Sequence, residues 1–348
     1  MELRIGNKTI GENHPVFIIA ELSANHNQNY ETALKTIKAA KKAGADAIKL
    51  QTYTPDTITI DCDNKHFQIK GGTLWDGNTL YELYKKTYTP WEWQPKLKKN
   101  AEDLGLICFS SPFDKTAVDF LEKIKVPAYK IASYEIVDIP LIEYAASKGK
   151  PMIISTGIAT LVDIKAAVKA CKHVGNNQIA LLKCSSIYPT PLKEINLKTI
   201  SDLKKKFKTI IGLSDHTLTD SIAIASVVLG AKIIEKHFIL KRNLGGPDAP
   251  FSMEVEEFKR MVQSIRQVEK ALGEVSYKLT EKIKTARKYS RSLFVVKNSK
   301  KGEIFTEKNL RSIRPGDGLH PKYLKDILGK KAKVDIKKGT PLSWKQVE

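Results

Sequence analysis

Cysteine is scarce in this chain: four residues among 348, at positions 62, 108, 171 and 184, with no CxxC spacing. That excludes a disulfide-built scaffold and fits a reducing cytoplasm. Long apolar runs are missing too. VFII and the stretch around Ile222–Leu229 fall far short of the about 18 residues of a membrane span. The first residues, MELRIGNKTIGENHP, lack the apolar core of a signal peptide, so no secretory leader is expected. A disorder signature is also absent, since 42% hydrophobic against 28% charged residues supplies ample core. The length suits one large domain, or a large one with a small one.

Negative charge is in deficit: 38 Asp and Glu against 58 Lys and Arg, a net charge of +20. Such a balance calls for an anionic partner, whether nucleic acid, a membrane surface or an acidic metabolite. The excess concentrates at residues 285–348, with 17 Lys and Arg against 6 Asp and Glu. A basic tail keeps nucleic-acid binding as an alternative from another functional class. Against it, Phe294, Phe305, Tyr323 and Trp344 are scattered rather than interleaved as a stacking platform.

Eight short apolar runs recur: VFIIAELS (16–23), AIKLQTY (47–53), LICFSSP (106–112), AYKIAS (128–133), PMIISTG (151–157), IALLKCS (179–185), TIIGLSD (209–215) and KIIEKHF (232–238). Continuous rather than alternating apolar character marks parallel strands buried on both faces. Amphipathic segments such as YETALKTIKAAKKAG and TLVDIKAAVKACKHVG lie between them, each closed by glycine. Eight β/α repeats in roughly 270 residues match a (β/α)₈ barrel, with a doubly wound open sheet as the alternative. The connection 54–90 is long for such a barrel, and long loops tend to be lids or binding loops. Its aromatics Trp75, Tyr81 and Tyr84, with Trp91 and Trp93 beside it, either pin the loop or face a substrate.

After Gly273 the pattern changes to short strands and turns. VVKNSKKGEIF (295–305) and KVDIKKGTPL (333–342) form a partial repeat with KKG turns in register. The expected organisation is a barrel over 1–278, a linker over 279–291 and a small β-rich domain over 292–348. About 60 residues are marginal alone, so that domain is expected to dock on a partner.

In a barrel of this kind the strands' C-terminal ends converge on one face. Here those ends are polar in every repeat: Glu21; Lys49 and Gln51; Ser110 and Ser111; Lys130 and Ser133; Ser155 and Thr156; Lys183 to Ser186; Ser214 to His216; Glu235 to His237. Lys49 and Lys130 sit inside apolar runs, which calls for a bound anion or for pairing with Glu21, Glu135 or Glu235. The serines supply donors suited to phosphate oxygens. His216 and His237 end neighbouring strands. Each alone reads as an ordinary hydrogen-bonded residue; as a pair they suit a divalent ion. Glu21 is a carboxylate available for acid–base work or for sugar hydroxyls. His14, His66, His173 and His320 are expected at the surface.

IAELSANHNQ, AIKLQTY, FSSPF, YKIAS, ISTGIAT, YPTP, GLSDHT and IEKHF together resemble the sialic acid synthase family, whose members condense phosphoenolpyruvate with an acetamido sugar. The resemblance spans nearly the whole chain and implies a (β/α)₈ TIM barrel followed by an antifreeze-like (SAF) domain. GGTLWDGNTLYELYKKTYTPWEW is similar to the branch that takes 2,4-diacetamido-2,4,6-trideoxy-altropyranose. N-acetylmannosamine and the legionaminic acid precursor are the alternative acceptors.

By that resemblance His216 and His237 hold a divalent metal, Mn²⁺, Co²⁺ or Mg²⁺. Lys49, Ser111, Lys130, Ser133, Ser155, Ser186 and Ser214 hold phosphoenolpyruvate, Ser186 standing where the neuraminate branch has Asn. Gln51, Tyr188 and Asp248 face the sugar, and Arg314, in SIRPGDG, reaches the other subunit's barrel in a swapped homodimer. The implied chemistry is attack of phosphoenolpyruvate C3 on a metal-polarised, open-chain sugar aldehyde. Water then adds at C2 with help from Glu21, and phosphate leaves by C–O cleavage.

Overall fold

The computed structural model describes residues 1–348 as two compact units, Met1–Gly273 and Glu274–Glu348. An antiparallel hairpin, β1 (Glu2–Ile5) and β2 (Lys8–Gly11), comes first. Eight parallel strands follow: β3 (Phe17–Glu21), β4 (Ala47–Thr52), β5 (Ile107–Pro112), β6 (Tyr129–Ile131), β7 (Met152–Ser155), β8 (Ile179–Lys183), β9 (Ile210–Asp215) and β10 (Ile233–His237). They close into a barrel in sequence order, β10 pairing back onto β3. The eight apolar runs are these strands, so the barrel expectation holds and the open sheet does not. β3 and β5 are buried at every residue, because helices cover the outer face and side chains fill the inner one.

Polar signals at the helix ends do what capping predicts. Asn29 accepts from the Thr32 N–H at the start of helix Tyr30–Lys42, and Thr160 and Asp163 form a reciprocal capping box on Leu161–His173. The hairpin, which the eight-repeat pattern does not include, buries Leu3, Ile5 and Ile10. Its neighbours lie where strands begin: Lys8 pairs with Asp46 at 3.3 Å, and the Glu12 carbonyl accepts from Lys232 Nζ at 2.9 Å. The barrel's N-terminal end is therefore covered, which leaves the C-terminal end for chemistry. No helix is long and apolar enough to cross a membrane.

The second unit begins with helix Glu281–Arg287, which its polar sequence did not announce, and contains the antiparallel pair β11 (Ser292–Val295) and β12 (Leu310–Ile313). The KKG repeat is a real internal symmetry. Gly302 N–H donates to the Ala332 carbonyl at 2.7 Å and Gly339 N–H to the Val295 carbonyl at 2.8 Å, each 37 positions from its counterpart. Ser299 and Ile336, related by the same offset, pair with each other. Both glycines have positive φ, 80° and 87°, which the tight turn demands. Leu293, Val295, Phe305, Leu310, Ile327 and Ile336 form this unit's own small core.

Candidate active site

Strand register assembles the centre of the site. Glu21 stands opposite Lys49 on one side and His237 on the other, and Glu235 lies opposite Ser214. Lys49 Nζ is 2.6 Å from Glu21 Oε2 and 3.3 Å from Glu235 Oε1, and Lys130 Nζ is 3.4 Å from that same Glu235 oxygen. All four side chains are buried. Pairing of the lysines is thus realised, with Glu235 as the shared partner, a role that the sequence raised only as one of three options.

The two carboxyls are driven apart. Burial raises Glu21 to about 7, although Lys49 opposes it. Burial also pushes Glu235 up, but Lys130 and Lys49 overcome it and hold the group at about 2. For Lys130, burial outweighs Glu235 and lowers the ammonium. Near neutral pH Glu21 is divided between its two protonation states, so two lysines face less than two full negative charges. Such a cluster attracts an anion.

Hydroxyls surround it. Ser111 Oγ accepts from Lys49 Nζ at 3.4 Å, and Ser214 Oγ donates to Glu235 Oε1 at 3.2 Å. Ser133 Oγ accepts from Gly157 N–H at 3.2 Å. The hydroxyl oxygens of Ser155 and Ser186 are buried without any partner. Gly157 lies between two of these serines, where an added Cβ would stand 2.1 Å from Ser186 Oγ and 2.6 Å from Ser133 Oγ. Ser110 and Thr156 are engaged elsewhere: Ser110 bonds Thr52 at 2.6 Å, and Thr156 Oγ1 donates to the Leu182 carbonyl.

His216 and His237 come together with ring centroids 5.3 Å apart. His216 Nδ1 donates to the Ser185 carbonyl at 3.0 Å, which fixes the tautomer and leaves Nε2 as a donor atom. His237 Nδ1 is buried with no hydrogen-bond partner and lies 3.6 Å from Asp248 Oδ2. Burial, then His216 and the lysines, keep this imidazole neutral well below its usual range. No cage of three or more metal-ligating side chains is present. Burial opposes the His216 proton, but Cys184, the Ser185 carbonyl and Asp215 raise that imidazole above its usual range. A neutral His237 with an orphaned nitrogen beside His216 fits a divalent ion that displaces the His216 proton and takes its remaining donors from water or substrate.

Above this floor opens a cavity of about 550 Å³. Gln51, Tyr188, Asp248 and His237 line it, together with Ser133 and Glu135. Gln51 Nε2 donates to Ser23 Oγ at 2.9 Å and reaches Glu21 Oε1 at 3.4 Å. Tyr188 packs 4.4 Å from the His216 ring and 5.0 Å from Phe251. The aromatics of the long connection divide between both expected roles. Trp75 and Tyr84 line the cavity, whereas Trp93 packs on His26 and Tyr30, Trp91 packs on Phe120, and Tyr81 bonds Asp56 at the surface.

Arg314 belongs to the second unit, exposed on the turn after β12. His66, His173 and His320 are exposed and His14 is half-buried, as expected of surface residues. Asp215 and Lys236, from the strand-end series, pair at 2.9 Å as a buried structural bridge.

Sequence reasoning missed Phe251, Gly157 and His26, and it gave Glu135 no role beyond a possible lysine partner. Glu135 Oε2 is buried and unpartnered, and burial raises the carboxyl to about 7. His26, a seventh histidine, bonds Thr89 Oγ1 at 3.1 Å, and its Nδ1 accepts from Gln28 N–H, tying the loop after β3 to the foot of the long connection. A glycine directly after a strand-end Ser-Thr pair was the one local signal available for Gly157.

Residues 36–277 match the model of the NeuB family, and residues 290–348 match the SAF domain. A pseudaminic acid synthase of Campylobacter jejuni is 48% identical over 340 residues, covering 98% of each chain. A pseudaminic acid synthase of Helicobacter pylori is 48% identical over 335 residues, 96% of this chain and 98% of its own. Among solved structures, the spore coat polysaccharide biosynthesis protein SpsE of Bacillus subtilis is similar at 35% identity. It covers 100% of this chain and 99% of its own, with a TM-score of 0.68.

Proposed function

The chain belongs to the NeuB family of sialic acid synthase-type transferases, and on that premise we propose that it condenses phosphoenolpyruvate with 2,4-diacetamido-2,4,6-trideoxy-altropyranose and water, giving pseudaminic acid and phosphate. The observation that carries this is the buried two-lysine, two-carboxylate cluster, with two unpartnered hydroxyls, Ser155 and Ser186, at neighbouring strand ends, joined through Gln51 at 3.4 Å from Glu21 to a sugar-sized cavity. Relatives of the same length that share 48% of residues and bear the name pseudaminic acid synthase support the acceptor.

Lys49 and Lys130 neutralise the phosphate and carboxylate of phosphoenolpyruvate, with hydroxyls from Ser111, Ser133, Ser155, Ser186 and Ser214. Ser155 and Ser186 have their hydrogen-bonding capacity free for that task. Glu235 stays charged and keeps both ammonium groups fixed between turnovers. In a site closed to bulk water, such prepositioned charge stabilises what develops on the departing phosphate. Gln51, Tyr188 and Asp248 orient the open-chain sugar so that its aldehyde carbon meets C3. That bond forms as the enol oxygen's electrons move in, leaving C2 electron-poor. Glu21, with a carboxyl near 7, takes a proton from the water that adds at C2. The aldehyde's π pair moves onto its oxygen, which takes up a proton to become a hydroxyl. The C2–O bond to phosphate then breaks as the hydroxyl added at C2 loses its proton and closes a carbonyl. His216 and His237 would hold a divalent metal, Mn²⁺, Co²⁺ or Mg²⁺, which when bound polarises the aldehyde as a Lewis acid.

The working form is proposed to be a swapped homodimer with Arg314 reaching the partner's sugar. Apolar side chains exposed after β6, β7 and β8, among them Val137, Val162 at 74% and Leu192, support a covered C-terminal face. So does the segment joining the units, where Val275 is 91% and Tyr277 95% exposed. Four free thiols, three of them buried, fit work in the cytoplasm. Phosphate release from phosphoenolpyruvate with the diacetamido sugar, N-acetylmannosamine and the legionaminic acid precursor tests the acceptor. The highest kcat/KM is expected for the first.

A further inference from the structure

The cavity has two chemically distinct ends. Its floor carries Gln51, Ser133, Glu135 and His237, whereas the long connection contributes a mostly apolar roof of Ile58, Ile69, Trp75, Leu80, Leu83 and Tyr84. Thr73 and Thr87 also belong to the roof, with hydroxyls engaged by Asp76 and by Tyr53 and the Leu83 carbonyl respectively. Trp75 joins that roof to the opposite wall. Its Nε1–H donates to the Pro247 carbonyl at 3.1 Å, 172 positions away in sequence. Its ring lies 5.5 Å from Tyr188 and 6.4 Å from Phe251. The tryptophan thus spans the mouth between two loops.

The neighbouring residue builds the turn that delivers it. Asp76 accepts from the N–H groups of Gly71 (3.1 Å), Gly72 (2.8 Å) and Thr73 (2.9 Å) and from the Thr73 hydroxyl (2.7 Å). These donors, the Thr73 hydroxyl first, hold its carboxyl at about 2, so the staple persists across the physiological range. Asp76 is itself exposed and lines no part of the cavity.

We infer that Trp75 is a specificity-determining residue, roofing the end of the acceptor sugar remote from its aldehyde and selecting a methyl over a hydroxymethyl at C6, with Asp76 as the residue that positions it. This rests on the acceptor reading above. With the aldehyde carbon at the polar floor, an open-chain hexose extends its C6 end away from that floor, toward the roof. A hydroxyl there gives up water for a ring face that returns no comparable hydrogen bond, and a methyl does not. Discrimination by an apolar wall against one such group is about 10–200-fold.

The test compares kcat/KM for the diacetamido-trideoxy sugar with that for its synthetic 6-hydroxy analogue, in wild type, Trp75→Ala, Trp75→Phe and Asp76→Ala. Wild type should favour the deoxy sugar about 10-fold or more. Trp75→Ala should bring the ratio close to one with the phosphoenolpyruvate KM unchanged, and Trp75→Phe should keep most of it. Asp76→Ala, which leaves the ring in place but frees its turn, should lower the ratio and raise the sugar KM. Melting temperatures recorded alongside should stay at the wild-type value, since the ring is only half-buried. An unchanged ratio in Trp75→Ala would overturn the assignment while leaving the acceptor reading intact. Wild-type enzyme that turns over N-acetylmannosamine and neither diacetamido sugar would overturn both.

Discussion

Gly157 donates its backbone N–H to Ser133 Oγ at 3.2 Å, in a position where any side chain would enter the space of two serine hydroxyls. Ser133 and Ser186 belong to different strand ends, and the glycine lets them approach a common point. Gly157→Ala must displace at least one hydroxyl, and misplacing a binding group by about 1 Å costs as much as roughly 100-fold in rate. The expected result is a phosphoenolpyruvate KM raised about tenfold or more, with the sugar KM and melting temperature close to wild type. Equal KM values for phosphoenolpyruvate in the two proteins would remove these serines from its binding.

Glu135 gives a pH test. Its carboxyl is raised to about 7 by burial, so the folded protein binds that proton more tightly than the unfolded chain does. Stability from this group is present in full at low pH and is lost as pH rises toward and through 7. Glu135→Gln, which imitates the protonated form, should therefore melt near the wild-type temperature at pH 5 and above it at pH 8. A stabilisation that shrinks between pH 5 and pH 8 would contradict the buried, unpartnered carboxylate.

The histidine pair predicts metal dependence. Exhaustive chelation should abolish turnover, and Mn²⁺, Co²⁺ or Mg²⁺ should restore it. Apart from activity, the wild type should bind Mn²⁺ by electron paramagnetic resonance, and His216→Ala and His237→Ala should each weaken that binding at an unchanged melting temperature. Full activity in chelated enzyme would rule out Lewis-acid assistance.

The fold was legible where burial leaves a one-dimensional trace. Parallel strands covered on both faces read as runs such as FIIAE and IIEKH, and their polar ends delivered Glu21, Lys49, Lys130, His216 and His237. Helix Glu281–Arg287 has no buried residue, hence no apolar stripe to read. Gly157 matters through atoms that it lacks. The bond from Trp75 to Pro247 and the packing of Tyr188 on Phe251 join distant segments, so no local spacing encodes them.

The swapped arrangement is tested by complementation. Glu21→Ala and Arg314→Ala should each be nearly inactive alone. Co-expressed, half the dimers are mixed, and each has one barrel with Glu21 facing an intact arm. About a quarter of wild-type activity should return, from the pairing statistics of a two-fold dimer. A mixture as inactive as its parents would place Arg314 on its own barrel or make the enzyme a monomer.

The most direct measurement follows an isotope. Phosphoenolpyruvate labelled with ¹⁸O at the bridging oxygen is incubated with the diacetamido sugar and metal-loaded enzyme, and both products are weighed by mass spectrometry. Condensation with C–O cleavage predicts that the label leaves in the phosphate and that an unlabelled sugar acid appears, enlarged by the pyruvyl unit. Label retained in the sugar acid, or no phosphate released with any acetamido sugar, would contradict the account.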